Sequence, residues 1–152
     1  MELVFPSNVD DAMVNEDICP PLTVQFFVPG IPKPKGSMRA FKSATTNRVI
    51  LINDSKGTKP WQETVSAIAR EHCKIPFSTP VFLYLEFTMP KPKKPKFSKP
   101  GVKPDLSKLL RCVEDALSKI VYVDDALVVG VTLKEIYGKE TGVYVVVGLM
   151  PG

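Results

Sequence analysis

The chain has 152 residues, 44% of them hydrophobic, which is enough for one domain with a core of its own. Its apolar runs are far shorter than the roughly 20 residues of a membrane-spanning helix, and its first residues lack the basic and apolar regions of a secretory signal. The net charge of +4 hides an asymmetry, because the first 20 residues carry five acidic and no basic side chains. The rest is strongly basic, as expected for a protein that attracts polyanions.

The first half of the chain predicts two strands, a helix and a third strand. Residues 1–21 show no periodicity and are interpreted as an acidic, loosely ordered N-terminal arm, followed by one domain over residues 22–150. The β-rich runs end at proline, glycine or asparagine, whereas the helical run has apolar residues at i, i+4, i+7 and i+8. The predicted elements are strands at Leu22–Val28 and Arg48–Ile52, a helix at Lys59–Cys73 and a strand at Val81–Met89.

The second half predicts a loop, a helix and two strands. Residues 91–104 hold four prolines and six lysines, a composition that excludes helix and inner strand. A helix is expected at Asp105–Ser118 with Asp105 as its N-cap, then strands at Ala126–Ile136 and Gly142–Leu149. The whole order predicts an α/β (α+β) domain with a mixed sheet of about five strands packed against two main helices.

Carboxylates are the expected chemical groups, because the chain is poor in the alternatives. His72 is the only histidine, which argues against Ser-His-Asp and Cys-His catalysis and against histidine-ligated metals. Three widely separated cysteines indicate neither a disulfide framework nor a zinc cluster. Two acidic places stand out, Asp105 at a helix start and the pair Asp124–Asp125 after the same helix. A few such carboxylates suffice to bind Mg²⁺ for phosphodiester hydrolysis, but a helix cap and a polar turn explain the same residues.

Two segments resemble the RusA-like Holliday junction resolvases. Residues 103–129, KPDLSKLLRCVEDALSKIVYVDDALVV, are similar to the family pattern PD-L-D-N-L-x-K, D-A-L and D-D-x-Q-V. The opening of the domain, FFVPGIPKPKGSMRAF at residues 26–41, resembles the family's first strand and its basic continuation. The resemblance implies a RusA-like fold and an endonuclease that resolves four-way junctions and other branched DNA by paired nicks in recombination and repair. It also implies Mg²⁺ dependence, with Mn²⁺ as a possible substitute, and a homodimer in the cytoplasm of a bacterium or a phage-infected cell.

The resemblance carries roles to individual residues. Asp105 and Asp125 match the catalytic aspartates, Arg111 replaces a catalytic lysine, and Asp105, Asp124 and Asp125 are the expected metal ligands. Ser107 departs from the pattern, since an aspartate is expected there, and is assigned to the surroundings of the metal. The missing carboxylate leaves an alternative open, a catalytically weakened module that binds branched DNA. Asp115 matches the aspartate of D-A-L and is interpreted as structural.

The basic residues near these positions predict a DNA-binding surface, although a solvated charge run is the ordinary explanation for a lysine-rich loop. Phe41 or Phe97 are candidates for wedging against bases at a branch point, but both are of a type more often found in a core. A protein-interaction role for the acidic arm is a third possibility. The predicted DNA-binding residues are Lys33, Lys35, Arg39, Lys42, Lys93, Lys94, Lys96, Lys99, Lys103 and Lys108.

Overall fold

The computed structural model describes residues 22–36, 38–53 and 57–151, and of residues 38–41 and 50–53 only the backbone. The predicted N-terminal arm lies outside these residues. A 3₁₀ turn at Asp125–Leu127 precedes the fifth strand, so this strand begins two residues later than the apolar run predicts. The elements are β1 (Thr23–Pro29), β2 (Met38–Lys42), β3 (Val49–Asn53), α1 (Thr58–His72), β4 (Val81–Met89), α2 (Leu106–Leu117), β5 (Val128–Tyr137) and β6 (Gly142–Leu149).

Four of the strands form a mixed sheet in the order β1-β6-β4-β5, and β2 pairs with β3 in a separate two-stranded ribbon. Strand β4 lies at the centre, antiparallel to β6 and parallel to β5. The predicted fold class, a mixed sheet with two helices, is therefore confirmed. The ribbon is separate from the main sheet, and its first strand, β2, was not among the predicted elements.

Both helices contribute apolar stripes to one core. The buried stripe predicted for α1 is present, with Trp61, Val65 and Ala69 almost inaccessible to solvent. Along β4 every second side chain is buried, because successive residues of a strand point to opposite faces. Two side-chain hydrogen bonds join the helices, from Gln62 to the carbonyl of Cys112 (3.1 Å) and from Ser66 to that of Ala116 (2.8 Å). No helix in the described part of the chain is both long and apolar enough to span a membrane.

The direction of α2 determines which ends of the neighbouring elements meet. Because β4 and β5 are parallel and joined through α2, the helix must carry the chain back from the end of β4 towards the start of β5. The first turn of α2 therefore lies over the last residues of β5. Its last turn lies near the first residues of β5 and the 3₁₀ turn.

Candidate metal and nucleic-acid site

Asp105 stands at the start of α2 with its carboxylate unused by the helix. Its backbone is extended, and its carbonyl oxygen accepts from the amides of Lys108 (3.0 Å) and Leu109 (3.1 Å). The N-cap position predicted from the sequence is therefore confirmed, but the side chain makes no capping hydrogen bond. The carboxylate is solvent-exposed and free to bind another group.

A second carboxylate, that of Glu135, shares a cavity with Asp105. The cavity has a volume of about 570 Å³ and lies between the end of the lysine-rich loop, the first turn of α2 and β5. Glu135 Oε1 is buried and has no hydrogen-bond partner among the described residues. Burial raises the pKa of the Glu135 carboxyl above its usual value. The cavity is lined by Pro100, Gly101, Val102, Lys103, Pro104, Asp105, Leu106 and Glu135.

The aspartate pair Asp124–Asp125 forms a compact acidic turn. The Asp124 carboxylate accepts from the amide of Ala126 (2.8 Å), and this bond, together with one to Asp125, lowers the pKa of Asp124. Both side chains are exposed. The backbone at these residues is therefore a polar turn before a strand, as the sequence suggests. Because both side chains are exposed, the turn does not prevent them from binding another group.

The second half of α2 is the neighbour of this acidic turn. Burial, and then the charges of Asp125 and Asp115, raise the pKa of Glu114, whereas Arg111 opposes the shift. The Tyr122 hydroxyl donates to the carbonyl of Glu114 (2.9 Å), which holds the link after α2 against the helix. Asp125 therefore lies within electrostatic range of the later turns of α2.

The two acidic places are separated along the helix. Glu114 is nine residues beyond Asp105, a distance of about 14 Å along the axis. Within residues 22–36, 38–53 and 57–151, no three His, Cys, Asp or Glu side chains form a group that could hold a metal ion. The structure thus brings Asp124 and Asp125 together, and Asp105 close to Glu135, but it does not gather Asp105, Asp124 and Asp125 into one cluster.

The exposed side of α2 carries Ser107, Arg111 and Asp115, spaced four residues apart and hence on one face. Lys35 reaches this helix, since its amide donates to the carbonyl of Lys108 (3.0 Å) and its ammonium group pairs with Asp115. Lys108 is half-buried. The predicted basic residue Lys35 and the predicted catalytic helix therefore share a surface.

The lysine-rich loop leads directly to Asp105 and forms one wall of its cavity. Phe97 is half exposed, and the Lys96 ammonium group lies 5.5 Å from the centre of its ring. Of the other residues predicted to bind DNA, Lys33 is partly buried and Lys42 is exposed on the ribbon, whereas the side chains of Arg39 and Phe41 lie outside the described residues. The lysines of the loop are Lys91, Lys93, Lys94, Lys96, Lys99 and Lys103, and most of them are exposed.

Comparison with known proteins identifies the family. The model of the family described as "Endodeoxyribonuclease RusA" matches residues 29–148, most of the chain and nearly all of the described fold. The chain belongs to the RusA endodeoxyribonuclease family. It is also similar to a protein of Bacillus subtilis (strain 168) described as "Uncharacterized protein YqaN", with 28% identity over 141 residues that cover 82% of this chain and 94% of the relative.

Within this RusA-family chain, Glu135 is the residue that the sequence analysis missed. The motifs that carry the family resemblance end at Val129, and Glu135 lies beyond them in the following strand. A signal was nevertheless present, because the period of two along β5 places Glu135 on the same face as Leu133 and Tyr137, which pack against the core. A charged residue at a core-facing position indicates a partner or a function.

Proposed function

We propose that this RusA-family chain is a divalent-metal-dependent endodeoxyribonuclease that resolves Holliday junctions and other branched DNA by paired nicks. The observation that carries the proposal is the position of Asp105, an exposed and uncapped carboxylate at the point where the lysine-rich loop enters α2. DNA phosphates drawn to the lysines would lie beside this carboxylate.

The proposed cation ligands are Asp105, Asp124 and Asp125. Carboxylate oxygens are the ligands that Mg²⁺ and Mn²⁺ prefer, so the donor set fits a hard divalent cation. When bound, the cation supplies Lewis acidity for phosphodiester hydrolysis. Because these three side chains do not form one group in the described residues, their joint action would require residues 118–125 to approach Asp105 when DNA and cation bind.

Arg111 is proposed to stabilise the negative charge that develops on the scissile phosphate. It is exposed on the same face of α2 as Ser107, and a guanidinium group keeps its charge at any physiological pH and can bind two phosphate oxygens at once. It cannot serve as a proton donor, so its contribution is electrostatic. Ser107 offers a hydroxyl that can hold a water near the cation but adds no negative charge.

The partner proposed for cutting is a second copy of the chain. Paired nicks in a four-way junction need two sites related by symmetry, and a two-fold homodimer supplies them. Light scattering coupled to size-exclusion chromatography tests this, with twice the mass of 16.8 kDa expected.

The central experiment uses a labelled synthetic four-way junction and a linear duplex of the same sequence. With Mg²⁺ the junction should be cut at symmetric positions in two opposing strands, and EDTA should stop the reaction. The linear duplex should stay intact under both conditions. Cutting of both substrates at the same rate would rule out selectivity for branched DNA.

A second candidate function is a branched-DNA-binding module with weakened catalysis, which Ser107 favours because an expected carboxylate is absent. The same reactions distinguish the two functions when they are also run on native gels. A junction that is shifted but not cut in Mg²⁺ or Mn²⁺ supports the binding module.

A further inference from the structure

Glu135 occupies a position where an acidic side chain is unfavourable. It lies opposite Phe87 in the pairing of β4 with β5, and Phe87 is fully buried. Its neighbours on the same face, Leu133 and Tyr137, pack against the core. A buried carboxylate oxygen without a hydrogen bond destabilises the fold unless a cation or another donor neutralises it. An apolar side chain at position 135 would pack here without this free-energy cost, yet the chain has a glutamate.

The surroundings of Glu135 offer a second carboxylate. Asp105 lines the same cavity, and its side chain is not used as a helix cap. Lys103 also lines the cavity, yet no ion pair joins it to Glu135 among the described residues. Two acidic residues from different elements thus line one cavity at the end of the lysine-rich loop.

We infer that Asp105 and Glu135 together bind a divalent cation in the DNA-free protein. One or two protein carboxylates, completed by waters and substrate phosphate oxygens, are the usual set for Mg²⁺. The inference rests on the proposed function only in the identity of the ion. The second ligand, Glu135, then lies on β5, so the two residues can bind the cation without any movement of residues 118–125, the link after α2.

Cation binding without DNA tests the assignment. Isothermal titration calorimetry with Mn²⁺ should show one site in the wild-type protein, and Glu135→Gln and Asp105→Asn should each weaken it by more than about tenfold. The matched control is Glu71→Gln, the same substitution at an exposed position on α1, which should bind Mn²⁺ as the wild type does. Wild-type affinity in Glu135→Gln would overturn the inference.

A conservative substitution separates a ligand from a residue that only supports the fold. Glu135→Asp keeps a carboxylate at this position of β5, and its Mn²⁺ binding should stay within about threefold of wild type, well inside the tenfold loss expected for Glu135→Gln. Thermal unfolding gives an independent measurement. In EDTA, Glu135→Gln should unfold at the wild-type temperature or above, because a partly buried carboxylate with an unpaired oxygen is removed. Mn²⁺ should raise the unfolding temperature of the wild type far more than that of Glu135→Gln.

Failure of this inference and failure of the proposed function give different results. If the Asp105–Glu135 pair binds Mn²⁺ but no junction is cut, the ligand assignment stands and the nuclease proposal fails. If junctions are cut while Glu135→Gln binds Mn²⁺ normally, the nuclease proposal stands and Glu135 is not a ligand.

Discussion

Lys35 forms an ion pair with Asp115, which fastens the segment after β1 to the exposed face of α2. The same segment is held by a hydrogen bond from Thr58 to the carbonyl of Pro34 (2.6 Å), so it contacts both helices. Asp115 thus has an ion-pair partner, and its interpretation as a structural residue stays a prediction. Because the Lys35 ammonium group is already paired, we expect it to contribute less to phosphate binding than the exposed lysines of the loop.

The Lys35–Asp115 pair should contribute little to stability. Both side chains are more than a third exposed, and pairs of this kind contribute about 0–1 kcal/mol. Asp115→Ala should therefore lower the free energy of unfolding by less than about 1 kcal/mol, whereas Leu109→Ala, at a fully buried position, should lower it by about 2–5 kcal/mol. Urea denaturation measures both. A larger loss for Asp115→Ala than for Leu109→Ala would show that the ion pair is a major support of α2.

Asp105→Asn should reduce junction cutting by about 100-fold or more, because an amide is a poor ligand for a hard cation. Binding of the junction should be retained or become tighter, since a negative charge near phosphates is removed. Asp125→Asn should behave in the same way, because Asp125 is a proposed ligand of the cation in the DNA complex. Single-turnover cleavage and gel-shift titration, with Glu71→Gln as control, measure the two effects. Full activity of Asp105→Asn would end its assignment as a ligand.

Ser107→Asp in the wild-type background should maintain or raise cutting. The residue is exposed in the first turn of α2, where a carboxylate is also favoured by the helix dipole. The dependence of the cleavage rate on Mg²⁺ concentration is the measurement, and half-maximal activity should move to lower Mg²⁺. A loss of activity would mean that the serine hydroxyl has a role that a carboxylate cannot fill.

The lysine-rich loop should control the salt dependence of junction binding. Replacing Lys93, Lys94, Lys96 and Lys99 with alanine should weaken binding. The slope of log affinity against log salt should become shallower by up to about 0.9 for each phosphate that is no longer neutralised. The control is Lys74→Ala, an exposed lysine just beyond α1. Fluorescence anisotropy at several salt concentrations gives the slope, and an unchanged slope would leave the loop as a solvated segment that does not touch DNA.

Cys112 should resist alkylation in the folded protein. Burial, and to a smaller extent the charge of Asp115, raises the pKa of its thiol from 9.0 to about 12, and only the thiolate reacts. Since the folded pKa exceeds the unfolded one, the contribution of the neutral thiol to stability is complete below pH 9.0 and is lost as the pH rises towards about 12. Peptide mapping after iodoacetamide treatment at about pH 8, below the ordinary thiol pKa, with and without urea, checks this. Rapid labelling without urea would contradict the burial of Cys112.

Much of the fold was predictable because its elements have strong local signals. The β-rich run at Val81–Met89 and the apolar stripe that begins at Trp61 are local signals, and the strand and the helix that they predict are both confirmed. The separation of the β2–β3 ribbon from the main sheet was not predictable, since strand pairing depends on contacts between distant segments.

The candidate site was predictable in its residues but not in its geometry. The motifs named Asp105 and Asp125, and their joint action as ligands stays a prediction. What the sequence could not supply was the course of the chain between them, because the length of a helix does not determine where the following link turns. Because the crossover makes β5 parallel to β4, the end of β5 lies beside the start of α2. The acidic residue that shares a cavity with Asp105 is therefore Glu135, which lies beyond the motif.

The opposite courses of α2 and β5 also bear on how related chains diverge. The N-terminal end of the helix and the last part of the strand line the same cavity. An acidic residue on either element can therefore lie at this cavity without a change in the backbone. A comparison of related chains that counts only the motif aspartates would therefore overlook an acidic residue that the strand contributes.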